Sequence, residues 1–144
     1  MLYSKYCEYV IRGLAYLSKH GKKDKYLMVK EISSATSIPF HFLQKIFQDL
    51  VATQWITSKK GKNGGFIMVA DAKKLTLMEI VKWSDGAHHF SKCILGDREC
   101  GDHEDCMTHN RCSILKNDLV SFFNTVTISD VSDMNVIKKK QGKK

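Results

Sequence analysis

The chain has 144 residues, 43% hydrophobic and 10% aromatic, with nine glycines and one proline. That suits one ordinary domain with a real core and excludes a fibrous or low-complexity chain. The formal charge of +8 favours a polyanionic partner and is unevenly spread: residues 93–106 carry Asp97, Glu99, Asp102, Glu104 and Asp105 against Arg98, a net −4, so the remainder carries +12. No run approaches the roughly eighteen apolar residues of a membrane span. The opening MLYSKYCEYVIRG lacks the apolar core of a secretory leader. The expectation is a cytoplasmic protein, no membrane partner, and cysteines kept in a reducing compartment.

Ser4 can cap a helix from Lys5 to about His20, closed by Gly21. Tyr6, Tyr9, Val10, Leu14 and Leu17 give it an apolar stripe. Cys7 reads as a small, partly buried residue, and Glu8 as a carboxylate favoured near a helix N-terminus. After a charged turn, Tyr26-Leu27-Met28 is a short strand candidate, and Val29 to Thr36 a two-turn helix with Ile32 and Ala35 inward. Ser37-Ile38 makes a tight turn, and Pro39 suits the first turn of the next helix. That helix places Phe42, Leu43, Ile46, Phe47 and Leu50 on one face, with His41, Gln44, Lys45 and Gln48 on the other. Two short helices joined so tightly are a helix-turn-helix signature, the second helix entering the major groove.

Trp55 to Lys59 and Phe66 to Val69 are two β-rich runs around a Gly-rich turn holding Asn63-Gly64. Lys59, Lys60 and Lys62 cluster at its tip, so the hairpin reads as a wing reaching toward phosphates. Thr76 and Glu79 form a capping box opening a helix from Leu77 to about Asp85, with Gly86 as its stop. Beyond residue 109, Ile114, Leu115, Leu119, Phe122, Phe123 and Val126 recur at helical spacing. So apolar a stripe needs cover, either its own domain or, as expected for a helix-turn-helix protein, a symmetric partner. The organisation expected is a winged helix-turn-helix domain over 1–86, a cysteine-rich loop over 87–109, a dimerisation helix over 110–130 and a basic tail over 131–144. The fold class is mainly α with a small β-hairpin wing.

Four of the five cysteines fall within twenty residues, as Cys93-x6-Cys100-x5-Cys106-x5-Cys112, with His109 three positions after Cys106. Thiols so gathered point to an iron–sulfur cluster, to zinc or another metal, or to redox-active thiols. The spacing is wider than paired zinc knuckles, which weakens zinc. His109 shares a helical turn with Cys106, and Cys112 lies one turn further on.

The segments SKYCEYVIRGLAYLS, EISSATSIPFHFLQKIFQDLVATQWITSKKGKNGGFIMV and LTLMEIVKWSDG, with the triple-cysteine run, together resemble the Rrf2 family of bacterial winged-helix regulators, the IscR/NsrR type, up to about Asp130. The resemblance implies a homodimeric transcription regulator, not an enzyme, whose affinity for a double-stranded DNA operator depends on an iron–sulfur cluster. A repressor is expected. A [2Fe–2S] cluster is favoured over [4Fe–4S], with zinc as the alternative. The implied ligands are Cys93, Cys100 and Cys106, with His109 in the IscR-like fourth position. The NsrR-like arrangement instead uses an acidic residue matching Glu8 of the partner subunit, and Cys112 is a further candidate. Base-facing positions of the family fall on His41, Gln44 and Lys45, and the wing's basic position on Lys60. Two departures stand out: Gln54 replaces the family's glycine before the first wing strand, and Lys60 replaces an arginine, so the bidentate fork to guanine is lost. A zinc- or thiol-switched regulator is one rival reading, and an electron carrier or cluster-transfer protein is another.

Overall fold

A computed structural model describes residues 2–21, 24–96, 98–101 and 106–134. Six helices and one hairpin follow in the order α1 (Lys5–His20), α2 (Val29–Thr36), α3 (Phe40–Val51), β1 (Ile56–Lys59), β2 (Gly65–Met68), α4 (Leu77–Asp85), α5 (His109–Thr125) and α6 (Ile128–Asp133), with a single 3-10 turn at His89–Ser91. The fold class expected from sequence is the one observed.

Helix α1 is the element the rest packs around. Ser4 caps it, its hydroxyl accepting from the Cys7 amide at 3.0 Å. One face buries Cys7, Val10, Leu14 and Leu17 completely against the other helices. Each such aliphatic side chain contributes roughly 1.5–3 kcal/mol of burial. From α3, Leu43, Ile46, Phe47 and Leu50 fill the same core. Phe42 does not: it is 62% exposed, leaning on Tyr9 with ring centroids 6.4 Å apart. The helix turns about 100° between Phe42 and Leu43, which carries Phe42 off the apolar arc that sequence reading gave it.

The turn between α2 and α3 is held at several points. Ser37 adopts the left-handed conformation (φ 58°), the Ser33 hydroxyl donates to the Ile38 carbonyl at 2.6 Å, and the Arg12 guanidinium donates to the Thr36 carbonyl. Ile38 is buried beneath. These contacts satisfy carbonyls that a helix end leaves without partners.

The wing is an antiparallel pair in register Ile56↔Met68 through Lys59↔Gly65. Its turn runs over residues 60–64 and closes with Gly64 N–H donating to the Gly61 carbonyl, with Asn63 at φ 62°. The Tyr26–Met28 segment contributes one bridge, Leu27 and Phe66 exchanging both backbone hydrogen bonds at 2.9 and 2.8 Å. Gly65 makes this approach possible: a Cβ there would lie 2.2 Å from the Leu27 carbonyl oxygen. Gln54, where relatives were expected to carry glycine, has φ 64°. A side chain in this region is disfavoured by about 1 kcal/mol, so Gln54→Gly is expected to raise stability by about 1 kcal/mol in chemical denaturation.

Helix α5 does not present one stripe. Phe123 is buried and Leu119 half-buried against the domain, whereas Ile114, Leu115 and Phe122 are 63%, 54% and 51% exposed. Its C-terminal end is stitched down: Leu77 N–H donates to the Val126 carbonyl and Ile128 N–H to the Leu75 carbonyl, both at 2.9 Å. Helix α6, not assigned from sequence, follows a second capping box (Thr127 with Asp130), buries Ile128 and packs on α1. Of the basic tail expected over 131–144, residues 131–133 form the end of α6, and 135–144 lie outside the described residues.

Candidate nucleic-acid interface and thiol site

Because Leu43, Ile46, Phe47 and Leu50 anchor α3 inward, His41, Gln44 and Lys45 are exposed along its outer face. Lys59, Lys60 and Lys62 are exposed on the wing. The Lys59 ammonium sits 5.8 Å from the Tyr26 ring centroid, a cation–π contact that steers its side chain. Lys60 and Lys62 lie in the hairpin loop, the part able to reach furthest from the body.

The thiol site lies between α4 and α5. A small backbone ladder shapes the loop: Cys93 N–H donates to the Arg98 carbonyl at 2.7 Å, Cys100 N–H to the Ser91 carbonyl at 2.9 Å, and Lys92 bridges Glu99. Cys93 and Cys106 line one cavity of about 570 Å³ with Gly96 and Arg98. Cys100 Sγ is 3.9 Å from His109 Nδ1. Of the candidate ligands, Cys100 and His109 are thus in contact, while Cys93 and Cys106 open onto one cavity. Among the described residues no three His, Cys, Asp or Glu side chains converge closely enough to hold one ion. Cys112 lies one turn beyond His109, half-buried. Glu8 is engaged within its own chain, 2.8 Å from Lys5 and 3.3 Å from Arg12, and its pKa is lowered chiefly by the Lys5 hydrogen bond.

The thiols differ in their electrostatic surroundings. The Thr108 hydroxyl, 3.7 Å from Cys106 Sγ, is the main influence lowering the Cys106 pKa, helped by backbone hydrogen bonds and the Arg98 charge. Sequence reading missed Thr108; at the N-cap of α5 it would be expected to cap the helix, yet its hydroxyl turns back to the thiol. Burial instead pushes Cys7 up from 9.0 to about 11. A thiol whose folded pKa is raised adds stability that is complete below the unfolded value and disappears as pH rises through the folded one. Stability is therefore expected to fall between pH 9 and about 11, and Cys7→Ala to flatten that limb of a urea-denaturation series. In metal-free protein, iodoacetamide should label Cys106 faster than Cys7, as peptide mass spectrometry would show.

Residues 3–134 match the Rrf2 family, described as iron-dependent transcriptional regulators. The chain belongs to the Rrf2 family. It is 30% identical over 133 residues to an Aquifex aeolicus (strain VF5) protein whose name places it among HTH-type transcriptional regulators, covering 91% of each chain. It is 24% identical over 131 residues to the regulator IscR of Vibrio vulnificus (strain YJ016), covering 90% of this chain and 77% of that one. Among solved structures, the global cysteine regulator CymR of B. subtilis superposes with TM-score 0.71 at 18% identity (90% and 95% covered), and T. potens IscR with 0.68 at 15% (90% and 85%). At that identity the structures bear on the fold, which is the winged-helix Rrf2 fold. Rrf2 proteins are transcription regulators and not enzymes, so this chain is a DNA-binding regulator, in keeping with its helix-turn-helix, wing and basic charge. Among the described residues, no helix is long and apolar enough to cross a membrane.

Proposed function

We propose that the chain is a homodimeric, sequence-specific repressor of the cytoplasm whose affinity for a duplex operator is set by an iron–sulfur cluster on Cys93, Cys100, Cys106 and His109. The proposed units are the reader over 1–86, the sensor loop over 87–109 and a dimer contact within 110–130, while 131–133, expected as the start of the tail, belong to α6. The carrying observation is the gathering of donors around the start of α5. Two thiols share one cavity, and a thiol and an imidazole meet at 3.9 Å. Three thiols and one imidazole are a donor set that a [2Fe–2S] cluster accepts, and the cysteine spacing is wider than that of paired zinc knuckles. When bound, the cluster would supply a one-electron or nitric-oxide-reactive centre.

The protein's own part is positional. Cys93 and Cys100 fix the loop ladder, and Cys106 and His109 fix the first turn of α5. His41, Gln44 and Lys45 face base edges, while Lys59, Lys60 and Lys62 meet phosphates. His109 is favoured over Glu8 from the partner subunit because it already lies against Cys100, while Glu8 is held by Lys5 and Arg12. Anaerobic purification with a visible spectrum and iron and sulfide analysis tests the cluster. A coloured protein with equal iron and sulfide is the expected result; a colourless protein holding zinc would overturn it. The lowered pKa of Cys106 favours a second reading, a thiol switch on the same loop. It requires metal-free protein whose operator binding is lost with peroxide and regained with dithiothreitol.

A further inference from the structure

On the other side of the 93–96 turn from the thiol cavity lies a second, larger cleft of about 740 Å³. The two cavities share Cys93 and Gly96, so that turn is the wall between them. The floor of the cleft is apolar, formed by Leu2, Phe90, Ile94 and Leu119. Its rim is cationic. Lys116 donates one N–H to the Lys92 carbonyl at 3.1 Å, leaving its remaining N–H groups for a ligand; Lys92 and His88 stand beside it. Among the described residues the one acid in the lining, Asp85, is turned to α1, accepting from the Ser4 amide at 2.6 Å and from the Ser4 hydroxyl. Lys116 and Leu119 lie on the side of α5 that also buries Phe123, turned away from exposed Ile114.

We propose that this cleft binds an organic monocarboxylate with an aliphatic or aromatic body. The volume is that of a small-molecule site. An apolar floor requires more than a bare anion, and an ammonium suits a compact carboxylate head as a point charge. The ligand would brace the 93–96 turn from the side away from the thiols and strap α5 to the end of α4. It would thereby bias the sensor loop, with coupling reciprocal by linkage.

The test is a calorimetric titration of the full chain, without DNA, using octanoate as the probe, with 1-octanol lacking the charge and acetate lacking the body. Because no DNA is present, its outcome is independent of the regulator reading. Octanoate is expected to saturate one site, with octanol and acetate each at least about tenfold weaker. Lys116→Gln should weaken octanoate about tenfold. Ile94→Asp, at a half-exposed position that leaves the core intact, should abolish binding. Absence of saturable octanoate binding, equal binding of octanol or acetate, or indifference to both substitutions would overturn the proposal.

Discussion

Alanine at Cys93, Cys100 or Cys106 is expected to leave anaerobically purified protein colourless, with iron and sulfide reduced to traces. Operator affinity should fall by about 5- to 150-fold against loaded wild type, the usual range of a coupling between two sites. The physical reason is the loop ladder. Cys93 and Cys100 donate their amides across it, and Cys106 precedes α5 with its carbonyl accepting from His109 N–H at 3.2 Å. Alanine keeps these backbone bonds but removes a thiolate, so the cluster that would tie the loop to the start of the helix is lost. Cys7→Ala should keep full colour, because that thiol is completely buried in the α1 core. His109→Ala should retain iron with a shifted spectrum if the imidazole is a ligand, and an unchanged spectrum would return the fourth position to Glu8 of the partner subunit or to Cys112. Retention of iron and colour in all three cysteine variants would sink the assignment of the site. Operator titrations at fixed salt on loaded and variant proteins read the coupling.

Glutamate at Leu115 and Phe122 together is expected to convert a dimer to a monomer and to weaken binding to a two-half-site duplex by about 10²- to 10⁴-fold. Both side chains are more than half exposed on α5, and a contiguous apolar face there has no partner within the described chain. Two winged domains tied together bind the second half-site as an intramolecular event, and that advantage vanishes when the tie is cut. Binding to a single half-site should scarcely change, which separates this effect from misfolding. Sedimentation equilibrium supplies the stoichiometry: monomeric wild type, or a variant that stays dimeric, would count against the face. Lys60→Ala offers a contrast. It should weaken all sequences alike and reduce the salt slope by about one.

Most of the reader was legible because its signals are local. The Ser4 cap, the Thr76–Glu79 capping box and the short α2–α3 turn each announce an element within four residues. What escaped depends on distant partners. Phe42 fits an apolar pattern, but only the direction of α1 decides that it lies outside the core. The apolar residues of α5 look like one stripe until Phe90 and Tyr3 are placed against Phe123, which assigns half of them inward. Helix α6 is too short to have a periodicity and exists because Ile128 is clamped to Leu75. At the thiol loop, spacing supplied the donors but could not give the contact of Cys100 with His109, nor the Thr108 hydroxyl that sets Cys106 apart.

Among the described residues α5 is held most firmly at its C-terminal end, and this has a mechanical consequence. Pinned at Phe123, Val126 and Ile128, the 17-residue helix is a rod about 26 Å long with its other tip at the cysteines. A displacement of ~2 Å at the tip, typical of helix shifts in switching proteins, turns such a rod by about 4°. Carried over the ~34 Å between half-sites, that rotation becomes a mismatch of roughly 2–3 Å, the length of a hydrogen bond. In the proposed dimer the helix would act as a gear, turning a small linear motion at the sulfur atoms into an angular misfit between two reading heads.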